Sequence, residues 1–192
     1  MLLPDGRVRK LRKSVDGPGQ AHELTFSCFE RRPLLASDHA RKWVIEALDR
    51  ARCDQDFELW AYVIMPEHVH VLLLPRRPQY RIASILKAIK QSVSRRGVHF
   101  LRDCAPELLE PLKVTWPTGR SEYRFWQQGG GYDRNFASPG AVWKVVDYIH
   151  NNPVRRGLAD CATDWQWSSA RWYAGEEDVK LKMDACPPGD RQ

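Results

Sequence analysis

His68 and His70 stand two residues apart in the apolar run His68-Val69-His70-Val71-Leu72-Leu73-Leu74. Successive strand side chains alternate between faces, so both imidazoles would project from one face, close enough to share a divalent ion. Neutral imidazole is a common metal ligand, and a bound ion would polarise a substrate held beside it. The same His-x-His pair could equally be two polar side chains turned to solvent, and spacing alone leaves both readings open. Tyr148 and Asn152 lie four apart, one turn of helix, in Asp147-Tyr148-Ile149-His150-Asn151-Asn152-Pro153. They fall beside the apolar stripe of that helix, which could lay a phenol and an amide oxygen against the face carrying the histidines. The plainer alternatives are a boundary tyrosine with its ring packed and its hydroxyl wet, and an asparagine that ends a helix before proline.

The elements that must position these groups follow from hydrophobic period and turn chemistry. Residues 22–29 alternate polar and apolar as a first strand. Ser37 or Asp38 caps a helix to about Arg52, with Val44, Ala47, Leu48 and Ala51 on its apolar side. Residues 57–65 and 68–74 form an antiparallel hairpin broken by Pro66-Glu67. Ile82, Ile85, Leu86, Ile89 and Val93 mark a second helix that Gly97 could end, and residues 103–121 read as irregular. Phe125-Trp126-Gln127 begins a fourth strand before the turn Gly129-Gly130-Gly131. Ser138 caps a third helix, with Pro139 at its first position and Val142, Val145, Val146 and Ile149 on one side, which Pro153 ends or kinks. The order predicts an α+β fold, an antiparallel sheet with helices packed on it.

The chain has 192 residues, 43% of them hydrophobic, enough for one domain with a modest appendage. No apolar run approaches the roughly 20 residues that span a bilayer, and the first residues have no leader pattern, so a soluble, cytoplasmic protein is expected. Five scattered cysteines with no Cys-x-x-Cys pair argue against a disulfide framework or a thiolate zinc site. The net charge of +6 is uneven: Arg7, Arg9, Lys10, Arg12 and Lys13 crowd residues 1–20, a flexible basic arm, and Lys87, Lys90, Arg95 and Arg96 follow later. Such a surplus attracts polyanions but carries no information on sequence or strand state.

Several blocks in order then resemble a known family. Met65-Pro66-Glu67-His68-Val69-His70-Val71-Leu72-Leu73 is similar to the His-hydrophobic-His signature of the single-tyrosine HUH transposases of bacterial insertion sequences. The run from Asp147 to Leu158, with Asn152-Pro153-Val154-Arg155-Arg156-Gly157, resembles their nucleophile helix, above all in the branch of REP-associated tyrosine transposases. Phe125-Trp126-Gln127, Gly131-Tyr132-Asp133 and Asp164-Trp165-Gln166-Trp167-Ser168-Ser169 match further blocks, so the likeness spans about residues 21–173.

The resemblance implies a ferredoxin-like, RRM-like antiparallel sheet with helices on one face. It implies Tyr148 as nucleophile, His68 and His70 as ligands of Mg²⁺ or Mn²⁺, and Asn152 as a further ligand where the insertion-sequence relatives usually have glutamine. The domain would cover residues 21–157, with residues 158–192 as a tail packing on the core or on DNA. A phenol ordinarily titrates near 10, so it needs a metal and cationic neighbours to attack a phosphodiester. Attack would leave a 5′-phosphotyrosine and a free 3′-hydroxyl on single-stranded, hairpin-forming DNA. Lys87, Lys90, Arg134, Arg155 and Arg156 could follow the backbone, and Trp126 or Trp143 could stack on bases; a packed tryptophan, or an arginine answering a helix dipole, is the competing account. The working unit is expected to be a monomer, with a homodimer as the alternative, associated with the bacterial nucleoid when bound to DNA. Two other functions compete: a hairpin-binding protein that no longer cuts, and an RNA-binding RRM-like protein, for which the K/R-G-F/Y-G/A-F-V-x-F/Y run is missing.

Overall fold

Alternation along Ala21-His22-Glu23-Leu24-Thr25-Phe26-Ser27 divides this segment between two environments. In the computed structural model, which describes residues 16–136 and 139–184, Leu24 and Phe26 enter one core while Glu23, Thr25 and Ser27 line a cleft on the other face. The chain runs through β1 (Ala21–Ser27), α1 (Asp38–Gln55), β2 (Phe57–Ile64), β3 (His68–Pro75) and α2 (Ile82–Cys104). It continues through α3 (Pro106–Leu109), the short strands β4 (Lys113–Thr115) and β5 (Ser121–Tyr123), then β6 (Tyr132–Phe136). Helices α4 (Pro139–His150), α5 (Asn152–Arg155) and α6 (Ala170–Tyr173) complete it.

The main sheet is antiparallel with strand order β2-β3-β1-β6. With α1 and α2 as the connections, this is the βαββαβ arrangement of the ferredoxin-like fold. Val44 and Leu48 of α1 and Ile85, Ile89 and Val93 of α2 pack on Leu24, Phe26, Tyr62 and Val71. The α+β class stands as expected, but helices cover both faces of the sheet rather than one. On the second face Val142, Val145, Val146 and Ile149 of α4 pack against Ala61, Val63 and Leu72. Each β-branched residue costs a helix a few tenths of a kcal/mol, roughly up to 0.7, whereas its burial contributes about 1.5–3 kcal/mol. Packing therefore decides that this valine-rich segment is helical.

Ser37 caps α1 as expected, its hydroxyl accepting from the Ala40 amide at 3.2 Å. Three expectations change. Gly97 does not end α2, which continues to Cys104; a Cβ there would stand 2.3 Å from the Phe125 ring, so glycine provides close packing rather than a stop. Residues 103–121 contain α3, β4 and the start of β5. Phe125-Trp126-Gln127 makes only an isolated bridge to the residue after β1, and the fourth core strand is β6, after the glycine turn. The Ser138 cap and residues 1–15 of the basic arm lie outside the described residues.

Candidate active site

Register brings the histidines to their place. Thr25 pairs with His70 and Ser27 with His68 across the β1–β3 ladder, on the face that α4 covers. Their Nε2 atoms stand 3.1 Å apart. The Glu67 carboxylate accepts from His68 Nδ1 at 3.1 Å, which leaves the lone pair of that ring on Nε2. Thr25 Oγ1 lies 2.8 Å from His70 Nδ1, and its hydroxyl can turn to accept from that ring as well. Partners of this kind commonly orient metal-bound histidines.

Burial holds both imidazoles neutral. It pushes His70 down to about 3, with His68 as a smaller cause, and it lowers His68 against the opposing pull of Glu67. Neutral rings with Nε2 lone pairs aimed at a common point fit a divalent cation, the charge their burial excludes from the rings themselves. Asn152 adds an amide from above: its Nδ2 is 3.2 Å from His70 Nε2. A half-turn of the amide would exchange nitrogen for oxygen without changing its shape and present Oδ1 to the same point. Among the described residues no group of three His, Cys, Asp or Glu side chains is placed to hold a metal ion, so a cation here would have the two imidazoles and this amide as its side-chain donors.

Tyr148 stands edge-on to His70, ring centroids 5.6 Å apart at 89°, and is 40% exposed. The helix breaks at Asn151, yet the Asn151 amide still donates to Asp147 and the Arg155 amide to Asn151, so Tyr148 and Asn152 keep a common face. The Arg155 guanidinium lies 4.9 Å over the Tyr148 ring. Arg156 reaches Glu67 at 3.0 Å, tying the end of the tyrosine helix to the carboxylate that holds His68. These groups open into a cleft of about 730 Å³ with a cationic rim that includes Arg31, Arg134 and Lys144. The arrangement can bind a polyanion, hold a divalent ion and offer a phenol beside it.

A family model described as "Transposase IS200 like" matches residues 20–152, more than half of the chain. The chain belongs to the IS200-like transposases. A proposed REP-associated tyrosine transposase of Haemophilus influenzae is 27% identical over 168 residues, 79% of this chain and 90% of that protein. The REP-associated tyrosine transposase of Escherichia coli K12 is 26% identical over 123 residues, 64% of this chain and 60% of its own length. The solved structure of a REP-associated tyrosine transposase bound to a REP hairpin shares the fold, with TM-score 0.64 at 20% identity over 97% of this chain and 94% of that one.

This transposase brings together His68, His70, Tyr148, Asn152, Arg134, Arg155 and Arg156 in one cleft, but not the other residues expected to touch DNA. Lys87, Lys90 and Trp126 line a separate depression on the α2 side, together with Gly129 and Gly130. Trp126 is a core ring packed on Phe26 and Phe125, its Nε1 donating to the Lys90 carbonyl, so it offers no stacking face to the cleft. The Lys90 ammonium is occupied by the carbonyls of Gln127 and Gly129 at 3.3 and 3.1 Å. Trp143 is buried in the core on the opposite face, which α4 covers, and stands edge-on to Tyr173. Thr25, Glu67, Arg31, Lys144 and Tyr132 were not singled out from sequence. Lys144 had a readable signal, four residues before Tyr148, whereas Thr25 needed the β1–β3 register. Among the described residues no helix is long and apolar enough to cross a membrane.

Proposed function

We propose that this transposase cleaves and rejoins single-stranded DNA at hairpin-forming, REP-like sequences through a covalent 5′-phosphotyrosine on Tyr148. His68, His70 and Asn152 would hold Mg²⁺ or Mn²⁺. The observation that carries this reading is the meeting of two neutral imidazole Nε2 atoms, 3.1 Å apart, with the ring of an accessible tyrosine in one cationic cleft. When bound, the divalent ion would offset charge on a non-bridging phosphate oxygen.

The chain's own groups account for the rest. The Tyr148 oxygen forms a bond to phosphorus as the bond to the 3′ oxygen breaks. The phenol proton leaves to solvent and the departing 3′ oxygen takes one up. One phosphate ester replaces another, so a DNA 3′-hydroxyl can reverse the step with no energy source. Arg155 lies over the Tyr148 ring, and with Arg31, Lys144 and Arg134 it attracts the strand. The relative solved with a REP hairpin supports hairpin DNA as the partner. Tyrosine and histidines meet within a single chain, which supports a monomer as the working unit.

Incubating labelled single-stranded hairpin DNA with the protein and Mg²⁺ or Mn²⁺ should give an adduct that survives denaturation. Tyr148→Phe should abolish it without weakening hairpin binding. An undiminished adduct in that variant removes the assignment, and tight hairpin binding without cleavage in any divalent metal favours a protein that has ceased to cut.

A further inference from the structure

One wall of the cleft carries an aromatic ring to which the chemistry above gives no role. Edge strand β6 pairs with β1, and period-two alternation sends Tyr132, Arg134 and Phe136 to the face that carries the histidines. Tyr132 is 43% exposed there, outside both cores. Among the described residues nothing stacks on its ring or takes its hydroxyl.

The backbone fixes where this ring stands. Gly131 has φ +72°, and a Cβ on it would lie 2.0 Å from the Thr25 carbonyl oxygen. Only glycine lets the chain pass so close to β1, and the next residue then falls opposite Thr25. Thr25 is also the partner of His70. Tyr132 and His70 therefore flank one residue on one face, two strand spacings or roughly 10 Å apart, on the order of three stacked nucleotide steps. Arg134, two residues along, adds a cation to the same wall, its guanidinium 4.6 Å from the Phe136 ring centre. A basic groove with an uncovered aromatic ring is the equipment that binds unpaired strands, since every base has a π-face.

We infer that Tyr132 is a stacking platform for an unpaired base a few nucleotides from the phosphate that Tyr148 attacks, with Arg134 on the adjoining backbone. The inference rests on the reading above for which polymer enters the cleft. It adds the place where a base outside the hairpin is gripped.

The test uses hairpin oligonucleotides whose single-stranded flank carries 2-aminopurine at one position at a time. They are mixed with full-length Tyr148→Phe protein in chelator, so that no cleavage intervenes. Fluorescence should be quenched at one flank position. Tyr132→Phe should retain the quenching, and Tyr132→Leu should lose it and bind roughly 5- to 100-fold more weakly. An abasic residue at that position should weaken the Tyr148→Phe protein by a similar factor and cost the Tyr132→Leu version nothing more. Equal quenching and affinity in the Tyr132→Phe and Tyr132→Leu proteins overturns the platform. If protein retaining Tyr148 forms its adduct and Tyr132→Leu changes neither its rate nor binding, the platform falls alone. If no metal yields an adduct while quenching still depends on Tyr132, the cleavage chemistry falls alone.

Discussion

Glu67 sits in the break between β2 and β3, nearly buried, with its carboxylate 3.1 Å from His68 Nδ1 and 3.0 Å from Arg156. Arg156 is half exposed, so the ion pair is screened and adds little to stability. The contact to His68 matters more, because a carboxylate behind an imidazole fixes its tautomer and raises its basicity as a ligand. Glu67→Gln keeps an acceptor for Nδ1 but removes the charge. It should weaken Mn²⁺ binding roughly 10- to 100-fold, measured by electron paramagnetic resonance titration of metal-free protein, with an unaltered circular dichroism spectrum. Unchanged affinity would show that the histidine needs no carboxylate behind it. At this scale the sequence disclosed the residues whose spacing repeats an element's own period: His68 with His70, and Tyr148 with Asn152. It did not disclose Thr25, whose role comes from a partner 45 positions away across a strand ladder. Glu67 was in view beside His68, yet a turn glutamate has no period to mark it.

Helix α2 shows how an element can be read correctly in its stripe and wrongly in its length. Ile82, Ile85, Leu86, Ile89 and Val93 are all buried as their spacing requires. Gly97 looks like a stop by local chemistry, but the helix runs through it because the Phe125 ring fills the space a side chain would occupy. That contact joins segments far apart in sequence, which local pattern cannot register. Gly97→Ala sets two effects against each other. Alanine favours the helix by about 1 kcal/mol, while a Cβ 2.3 Å from Phe125 forces repacking that costs about 1–3 kcal/mol or more. The clash should win. A lower urea midpoint with unchanged slope is the expected result, and a higher midpoint would mean that Phe125 swings aside freely. The same ring belongs to the segment that was expected to be the fourth strand. Phe125 and Trp126 are buried, but the sequence left Trp126 open between packing and base stacking, and did not register that a helix face rather than a ladder buries this segment.

At the scale of the whole molecule, the sheet has two edges with different fates. The β6 edge borders the cleft, whereas the β2 edge is closed by the carboxy-terminal segment. The Ile64 amide donates to the Trp167 carbonyl at 2.9 Å, the Ser169 amide to the Tyr62 carbonyl at 3.0 Å, and the Leu59 amide to the Asp184 carboxylate at 2.9 Å. Trp167, Leu181 and Met183 enter the core beneath α1 and α2. The tryptophan-rich composition of this tail was readable, but which edge it would cover was not, since no strand period survives in its loops. The segment also braces the tyrosine helix: Ser169 Oγ lies 2.8 Å from His150 Nε2, two residues from Tyr148, and Tyr173 packs on Trp143. A chain ended after Gly157 would expose an apolar edge strand with unpaired amides, a template for pairing with another copy. It should associate as concentration rises, seen by light scattering, and melt well below the full chain. A truncated chain that stayed monodisperse with an unchanged melting temperature would make the tail a separate appendage. The tyrosine helix would then owe its position to the sheet alone.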